Sequence, residues 1–204
     1  MPPKPKFTRE EMIAAALDLV GEKGMEALTA RNLGERLGTS SRPVFTMFKN
    51  MEEVQEAVRN AARVRFKSYA DKAADYTPAF KKLGMQMILF AKEEPNLYRL
   101  LFLTNDGSVH ELDEGYLKTD SVAKTALETV QRDYALEYEE ARVLFHHAWI
   151  FTFGIGTLYA TGMCSFSMDE INDLLGQNFM AMLARIKSGG IYQATPQPVV
   201  KKER

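Results

Sequence analysis

The sequence predicts an all-α protein of about nine helices, a head of three short ones followed by a body of six longer ones. Three observations carry this. Apolar residues recur at three- and four-residue spacing in every periodic segment, and no stretch alternates as a strand would. Several segments follow a helix-start signal, either Ser, Thr or Asn with Glu three residues on, or Pro in the first turn. The segments before residue 50 are short and closely joined, and those after it are long.

Taken in order, the first helix starts at Thr8 with Glu11 completing a capping box, presents Ile13, Ala16, Leu17 and Val20, and stops at Gly24. A second follows Thr29, carries Leu33 and Leu37, and ends at Gly38. A third begins after Ser40 and turns Val44 and Phe48 inward, with Pro43 in its first turn, where a missing N–H loses no intrahelical bond. Asn50 with Glu53 caps a long fourth helix reaching about Tyr76. Thr77-Pro78 and Pro95 mark the next two starts, and Asn105-Asp106-Gly107 opens an acidic loop. The last three helices are expected at about 117–136, 138–162 and 168–188, the last with Ile171, Leu175, Phe179, Met182 and Ile186 on one face. The domains are therefore a head over 1–50, a body over 51–188 and a Gly-, Pro- and Lys-bearing tail over 189–204 expected to be disordered.

Composition narrows the function classes. At 204 residues and 46% hydrophobic content the chain can bury a sizeable core without metal or disulfide. Its single cysteine, Cys164, and a Pro- and Lys-rich start without an apolar stretch behind it predict a cytoplasmic protein. Residues 143–160 approach the length of a membrane span. His146, His147, Thr152, Thr157 and two glycines interrupt them, so a helix buried on all sides is expected, and no membrane partner. The net charge of −1 divides unevenly: residues 1–50 hold eight Lys or Arg against six acids, which permits an anionic partner there. No G-x-S-x-G, no Gly-rich phosphate loop after a strand and no partnered Cys appears, so neither an enzyme nor a cofactor is expected. The adjacent His146 and His147 lack the one-turn spacing of a metal site and read as hydrogen-bonded core or pocket residues.

Residues 28–48 concentrate the functional signal. Two short helices meet at a tight turn containing Gly38, the layout of a helix-turn-helix. The second opens on Ser40, Ser41 and Arg42, small or polar side chains suited to base edges in a major groove. An ordinary helical hairpin with Arg31, Arg36 and Arg42 as a solvated face fits the same pattern.

The runs Phe7-Thr8-Arg9-Glu10-Glu11, Ala16-Leu17-Asp18-Leu19-Val20, Gly24, Ala27-Leu28-Thr29, Leu37-Gly38, Phe48-Lys49-Asn50 and Glu52-Glu53-Val54 resemble the N-terminal domain of TetR-family regulators. Ala148-Trp149 with Phe153-Gly154 resembles the Trp-His-Gly signature of one subgroup, with Phe153 where His is usual. The resemblance implies a homodimeric repressor whose two heads grip operator DNA and whose body binds a small-molecule effector. It implies that Thr29 and Lys49 hold phosphates, joined by Arg31, and that Ser41, Arg42 and Thr46 face bases beside Ser40. Phe45 stands where the family has Tyr, and Met47 where it often has His, so Phe45 is expected to pack on sugar or a thymine methyl. An activator, an effector-independent regulator of the same fold, and an all-helical enzyme or carrier remain the alternatives.

An effector cavity is expected among Met85, Met87, Phe90, Tyr98, Phe102, His147, Trp149 and Phe153, although such residues at helical spacing equally form ordinary core. No charged residue stands in this set, which predicts a neutral or apolar ligand. The last two helices carry excess apolar surface, and Gly156 and Ala160 at small-xxx-small spacing suggest that they pair in the dimer.

Overall fold

The computed structural model describes residues 7–73, 79–104 and 121–189. The Pro-Lys arm, the Thr77-Pro78 start, the Asn105-Asp106-Gly107 loop and the tail beyond 189 lie outside them. Among the described residues every element is helical, and nine α-helices are found: α1 (Arg9–Lys23), α2 (Ala30–Arg36), α3 (Val44–Met47), α4 (Met51–Ala70), α5 (Ala79–Glu93), α6 (Pro95–Tyr98), α7 (Ser121–Tyr134), α8 (Tyr138–Ala160) and α9 (Met168–Lys187).

Side-chain caps fix most of the boundaries. Thr8 Oγ1 accepts from the Glu11 N–H at 3.1 Å while Glu11 accepts from the Thr8 N–H at 2.7 Å, the reciprocal box expected of α1. Ser167 and Glu170 repeat it on α9, and Asn50 accepts from the Glu53 N–H at 3.0 Å to start α4. Glu140 similarly accepts from the Glu137 N–H at the head of α8.

Four boundaries or faces differ from expectation, the first being α4, which ends at Ala70 and passes into a 3₁₀ turn over Asp71–Ala73, short of the expected Tyr76. The α-helical part of α3 begins at Val44, because Ser41, Arg42 and Pro43 wind in through i→i+3 turns whose carbonyls accept from Val44, Phe45 and Thr46. The buried face of α1 is Met12, Ala16, Leu19 and Val20, with Ile13 and Leu17 half-buried at its flank. The face is wide because α1 packs against α2, α4 and α6 together. Helix α8 is central to the body, packed by α5, α7 and α9, yet it is not covered all round. His147, Ile150 and Gly154 are exposed along one stripe that none of the described residues covers. Gly156 and Ala160 face the opposite way, inside the subunit. Among the described residues α8 alone is long and apolar enough to cross a membrane, and its first turns carry Glu139, Glu140 and Arg142.

The head and body share one continuous core. Phe66 and Tyr69 of α4 lie 5.3 and 5.2 Å from the Phe90 ring of α5, and Phe66 lies 5.2 Å from Phe102, just beyond α6. Burial holds Tyr69 up to about 12, reinforced by its hydroxyl bond to the Glu93 carboxylate.

The head itself turns on a close backbone contact. A Cβ on Gly34 would stand 2.7 Å from the carbonyl carbon and oxygen of Ser40, in the turn entering α3. Replacing an exposed helical glycine by alanine ordinarily stabilises by up to about 1 kcal/mol. Here Gly34→Ala is expected to destabilise the head by about 1–3 kcal/mol, because the atoms in the way are backbone. Chemical denaturation measures it, and a gain in stability would contradict the contact.

Candidate nucleic-acid interface and apolar cavity

Around α3 the structure gathers the residues singled out in the head. Thr29, Arg31, Ser40, Arg42, Phe45, Thr46 and Lys49 are all exposed, and Ser41 is half-exposed. Val44 and Phe48 point inward with Leu33, so α3 divides into a buried face and a solvent face. Phe45 presents a half-exposed ring on the outer face, an apolar side chain that no neighbour covers. The Thr46 hydroxyl donates to the Pro43 carbonyl at 2.6 Å, and Thr29 Oγ1 accepts from the Asn32 N–H at 3.1 Å to cap α2.

The basic side chains of the head divide by their partners. Arg36 binds both oxygens of Glu22 at 2.7 and 2.6 Å, which fastens α2 to α1. The bond and charge of Arg36 hold the Glu22 carboxyl below its ordinary range. Arg9 stacks 4.7 Å above the Phe48 ring and donates to Glu53 at 3.0 Å, tying α1 to α4. Arg31 pairs with Glu35 along α2 at 2.9 Å in an exposed, weakly held contact. Arg42 and Lys49 have no ion-pair partner among the described residues. Two cations without a side-chain ion pair among the described residues therefore flank the solvent face of α3, Lys49 with its backbone N–H on Glu53. The ties of Arg9 to Glu53 and Arg36 to Glu22, and the close approach of Gly34 to Ser40, which lock that face in place, are not marked by sequence spacing. They arise between separate elements.

The body holds a cavity of about 260 Å³ between α5, α7, α8 and α9. Phe80, Leu83, Tyr134, Ala148, Trp149, Leu175 and Phe179 make it apolar, and Thr152, Asn178 and Lys81 add polar atoms. Its aromatic wall is continuous: Phe179 lies 4.8 Å from Tyr134 and 5.6 Å from Phe80, and Trp149 stacks on Phe145 at 5.4 Å. The Tyr134 hydroxyl is pushed up by burial first and by Asp133 second, so it stays neutral at physiological pH.

Of the residues proposed from sequence for this role, Trp149 lines the cavity. Met87, Phe90 and Tyr98 are buried core, Phe102 and Phe153 pack half-buried against the Tyr98 ring, Met85 packs with Ile88 and Leu175, and His147 is exposed on α8. Tyr98 lies over α8: a Cβ on Gly156 would stand 2.6 Å from its hydroxyl oxygen. That hydroxyl donates to the Phe153 carbonyl at 3.2 Å, and burial pushes it up to about 12 against the opposing effect of Thr157.

Residues 12–58 match the model of the bacterial regulatory proteins of the tetR family. This is a likeness of the head and the start of α4, over less than a quarter of the chain. The match runs past residue 50 into α4, consistent with the Arg9 and Lys49 contacts to Glu53. The tetracycline repressor protein class C of Escherichia coli is 41% identical over 56 residues, 28% of this chain and 26% of the repressor. The likeness in sequence is thus confined to about a quarter of that relative's length. Solved structures extend the likeness of fold. A TetR variant from Acinetobacter baumannii AYE in complex with minocycline superposes with a TM-score of 0.56 at 17% identity, over 91% of this chain and 99% of that one. A putative TetR-family transcriptional regulator from Vibrio parahaemolyticus gives 0.55 at 17% identity, over 85% and 97%. The whole chain therefore has the TetR fold.

The electrostatics of this TetR-type head are testable through Glu53. The backbone N–H of Lys49, then Arg9, hold its carboxyl below the ordinary range. A depressed carboxyl stabilises the folded state above its unfolded pKa, and that contribution disappears as pH falls through the folded value. Glu53→Gln should therefore lower the melting temperature at neutral pH, with the gap to the parent closing below about pH 4. Melting curves across pH check this, and a gap that persists in acid would contradict it.

Proposed function

We propose that the chain is a homodimeric transcriptional repressor that grips operator DNA with the solvent face of α3 and releases it when a small molecule fills the cavity of the body. The observation that carries the reading is the exposed set around α3. Arg42 and Lys49 stand there with no side-chain ion pair among the described residues, on a scaffold whose other arginines are committed to ion pairs. Arg9 and Arg36, paired across helices, hold the frame, while Arg42, Lys49 and Arg31, whose exposed pair with Glu35 is weakly held, are available to phosphates and bases.

Residues 1–50 supply the reading head and 51–188 the regulatory body. Ser41, Arg42 and Thr46 face bases beside Ser40. Thr29, Arg31 and Lys49 hold phosphates, and Phe45 supplies an apolar contact to sugar or a thymine methyl. Since the Thr46 hydroxyl donates to Pro43, its oxygen is left to accept from a base and its methyl to touch one. The cavity, with an aromatic wall and few polar atoms, has the character of a small-molecule site. The Acinetobacter relative was solved with minocycline, and a bound small molecule in that fold supports an effector here. Ala148-Trp149 and Phe153-Gly154 favour the Trp-His-Gly subgroup. Such a protein is cytoplasmic, with no catalytic step to perform.

A dimer is supported by the uncovered stripe of α8. Ile150 is 54% exposed, Gly154 faces open space, and Met180 of the neighbouring α9 is 59% exposed. A second copy applying the same pair of helices would bury all three in a four-helix interface. Sedimentation should return about twice the 23.1 kDa chain mass. Ile150→Arg should shift the protein toward monomer, and a parent that is monomeric at micromolar concentration would contradict the interface.

For DNA binding the expected outcomes separate the two unpaired cations. Arg42→Ala should cost about 1–3 kcal/mol on the best site and flatten the preference among its variants. Lys49→Ala should weaken all sequences alike and reduce the log–log salt slope by about 1 for each head. Neither change should lower the melting temperature. The measurement is equilibrium binding to duplexes selected from genomic fragments. An Arg42→Ala protein with unchanged sequence preference would contradict base reading by that residue.

A further inference from the structure

The cavity carries a charge that the sequence does not reveal. Lys81, on the first turn of α5, lines it, and its Nζ lies 3.4 Å from where a Cβ on Gly176 of α9 would stand. The ammonium thus rests over α9 where a side chain at 176 would crowd it. No aspartate or glutamate lines the cavity, and Lys81 has no acidic partner among the described residues. Asn178 also lines it, with no hydrogen-bond partner among the described residues. The remaining lining is dominated by rings and aliphatic side chains, chiefly Phe80, Trp149 and Phe179.

The geometry points to a small amphipathic monoanion as the ligand, an apolar ring-bearing body with one carboxylate that pairs with Lys81. The inference rests on reading the cavity as the effector site and sets the chemical class of that effector. A volume near 260 Å³ falls just below the usual range of ligand sites, about 300–1,000 Å³, which suits one or two rings. A single unneutralised cation matches one negative charge. A dianion would meet no second cation in the lining, and a cationic ligand would face Lys81 with no acid to offset it. A neutral ligand of the same shape would fill the apolar part and leave the ammonium without a partner. Asn178 offers donors to the second carboxylate oxygen. The expectation of a neutral ligand rested on apolar residues alone. Lys81 escaped it because a lysine beside Lys82 at a helix start reads as surface.

Trp149 is the only tryptophan of the chain and lines the cavity, so its fluorescence reports occupancy directly. The probes are 4-butylbenzoate and its neutral isostere 4-butylbenzamide, titrated into the full-length protein at neutral pH. The acid should bind at least about tenfold tighter than the amide. Lys81→Met, which keeps the length and apolar stem of the side chain, should bind both with the affinity of the amide. Lys81→Arg should retain the preference for the acid. Amide binding that equals or exceeds acid binding in the parent protein would overturn the anion assignment and leave the cavity as a neutral-ligand site. A preference for the acid that survives Lys81→Met would also overturn it. Absence of binding by either probe would count against the cavity reading itself.

Discussion

The contact on which the rest of the structure depends is the Tyr98 ring lying against the bare backbone of α8 at Gly156. Tyr98 is fully buried, and any side chain at 156 would occupy the space of its hydroxyl. Because that hydroxyl finds the Phe153 carbonyl, a large amphipathic ring is buried without an unsatisfied donor. One turn earlier, Asn96 donates to the Gly21 carbonyl of α1 at 2.9 Å, and at the α5–α6 junction Glu94 pairs with Arg65 of α4. The short helix α6 therefore touches the head through α1, the connecting helix through Arg65, and the centre of the body through Tyr98. These contacts form a continuous chain from α8 to the head. Phe102, packed between Tyr98 and Phe66, gives that route a second strand through α4.

Charge in this chain follows the same division between frame and function. Arg9 and Arg36 each pair with a carboxylate on another helix, and Arg65 with Glu94 at the α5–α6 junction, so each pair joins two parts of the fold. Such exposed pairs contribute little stability singly, and their value is in fixing geometry. Arg42 and Lys49 at the head and Lys81 in the body lie outside these pairs. Each surface where we infer that a ligand docks carries at least one cation with no ion pair among the described residues.

Much of the fold was legible because capping is a local signal. Thr8, Asn50 and Ser167, each with its glutamate three residues on, mark helix starts through bonds within one turn of chain. The start of α3 was less legible, since Pro43 suits the first turn of an α-helix and a preceding 3₁₀ turn equally. The exposed face of the head was legible from small and polar residue types. The cavity was not. Its walls come from four helices spread between residues 80 and 180, and helical spacing cannot distinguish an aromatic that lines a void from one that fills it. Trp149 lines it, while Met87, Phe90 and Tyr98 of the same pattern are packed core. Gly156 makes the point most sharply. Small-xxx-small spacing signals close approach of something, and here that something is Tyr98 of the same subunit.

We propose that the α3 surface reads DNA and is coupled to the cavity beside α8 through α6 and α4. Linkage makes that claim measurable, because coupling between two sites acts equally in both directions. The measurement is the affinity of a compound that quenches Trp149, taken with and without a saturating operator duplex. The account predicts that operator weakens ligand binding by the same factor by which ligand weakens operator binding, about 5- to 150-fold for a typical coupling. Equal ligand affinities in both conditions would contradict it, and would leave the cavity and the head as two unconnected sites on one fold.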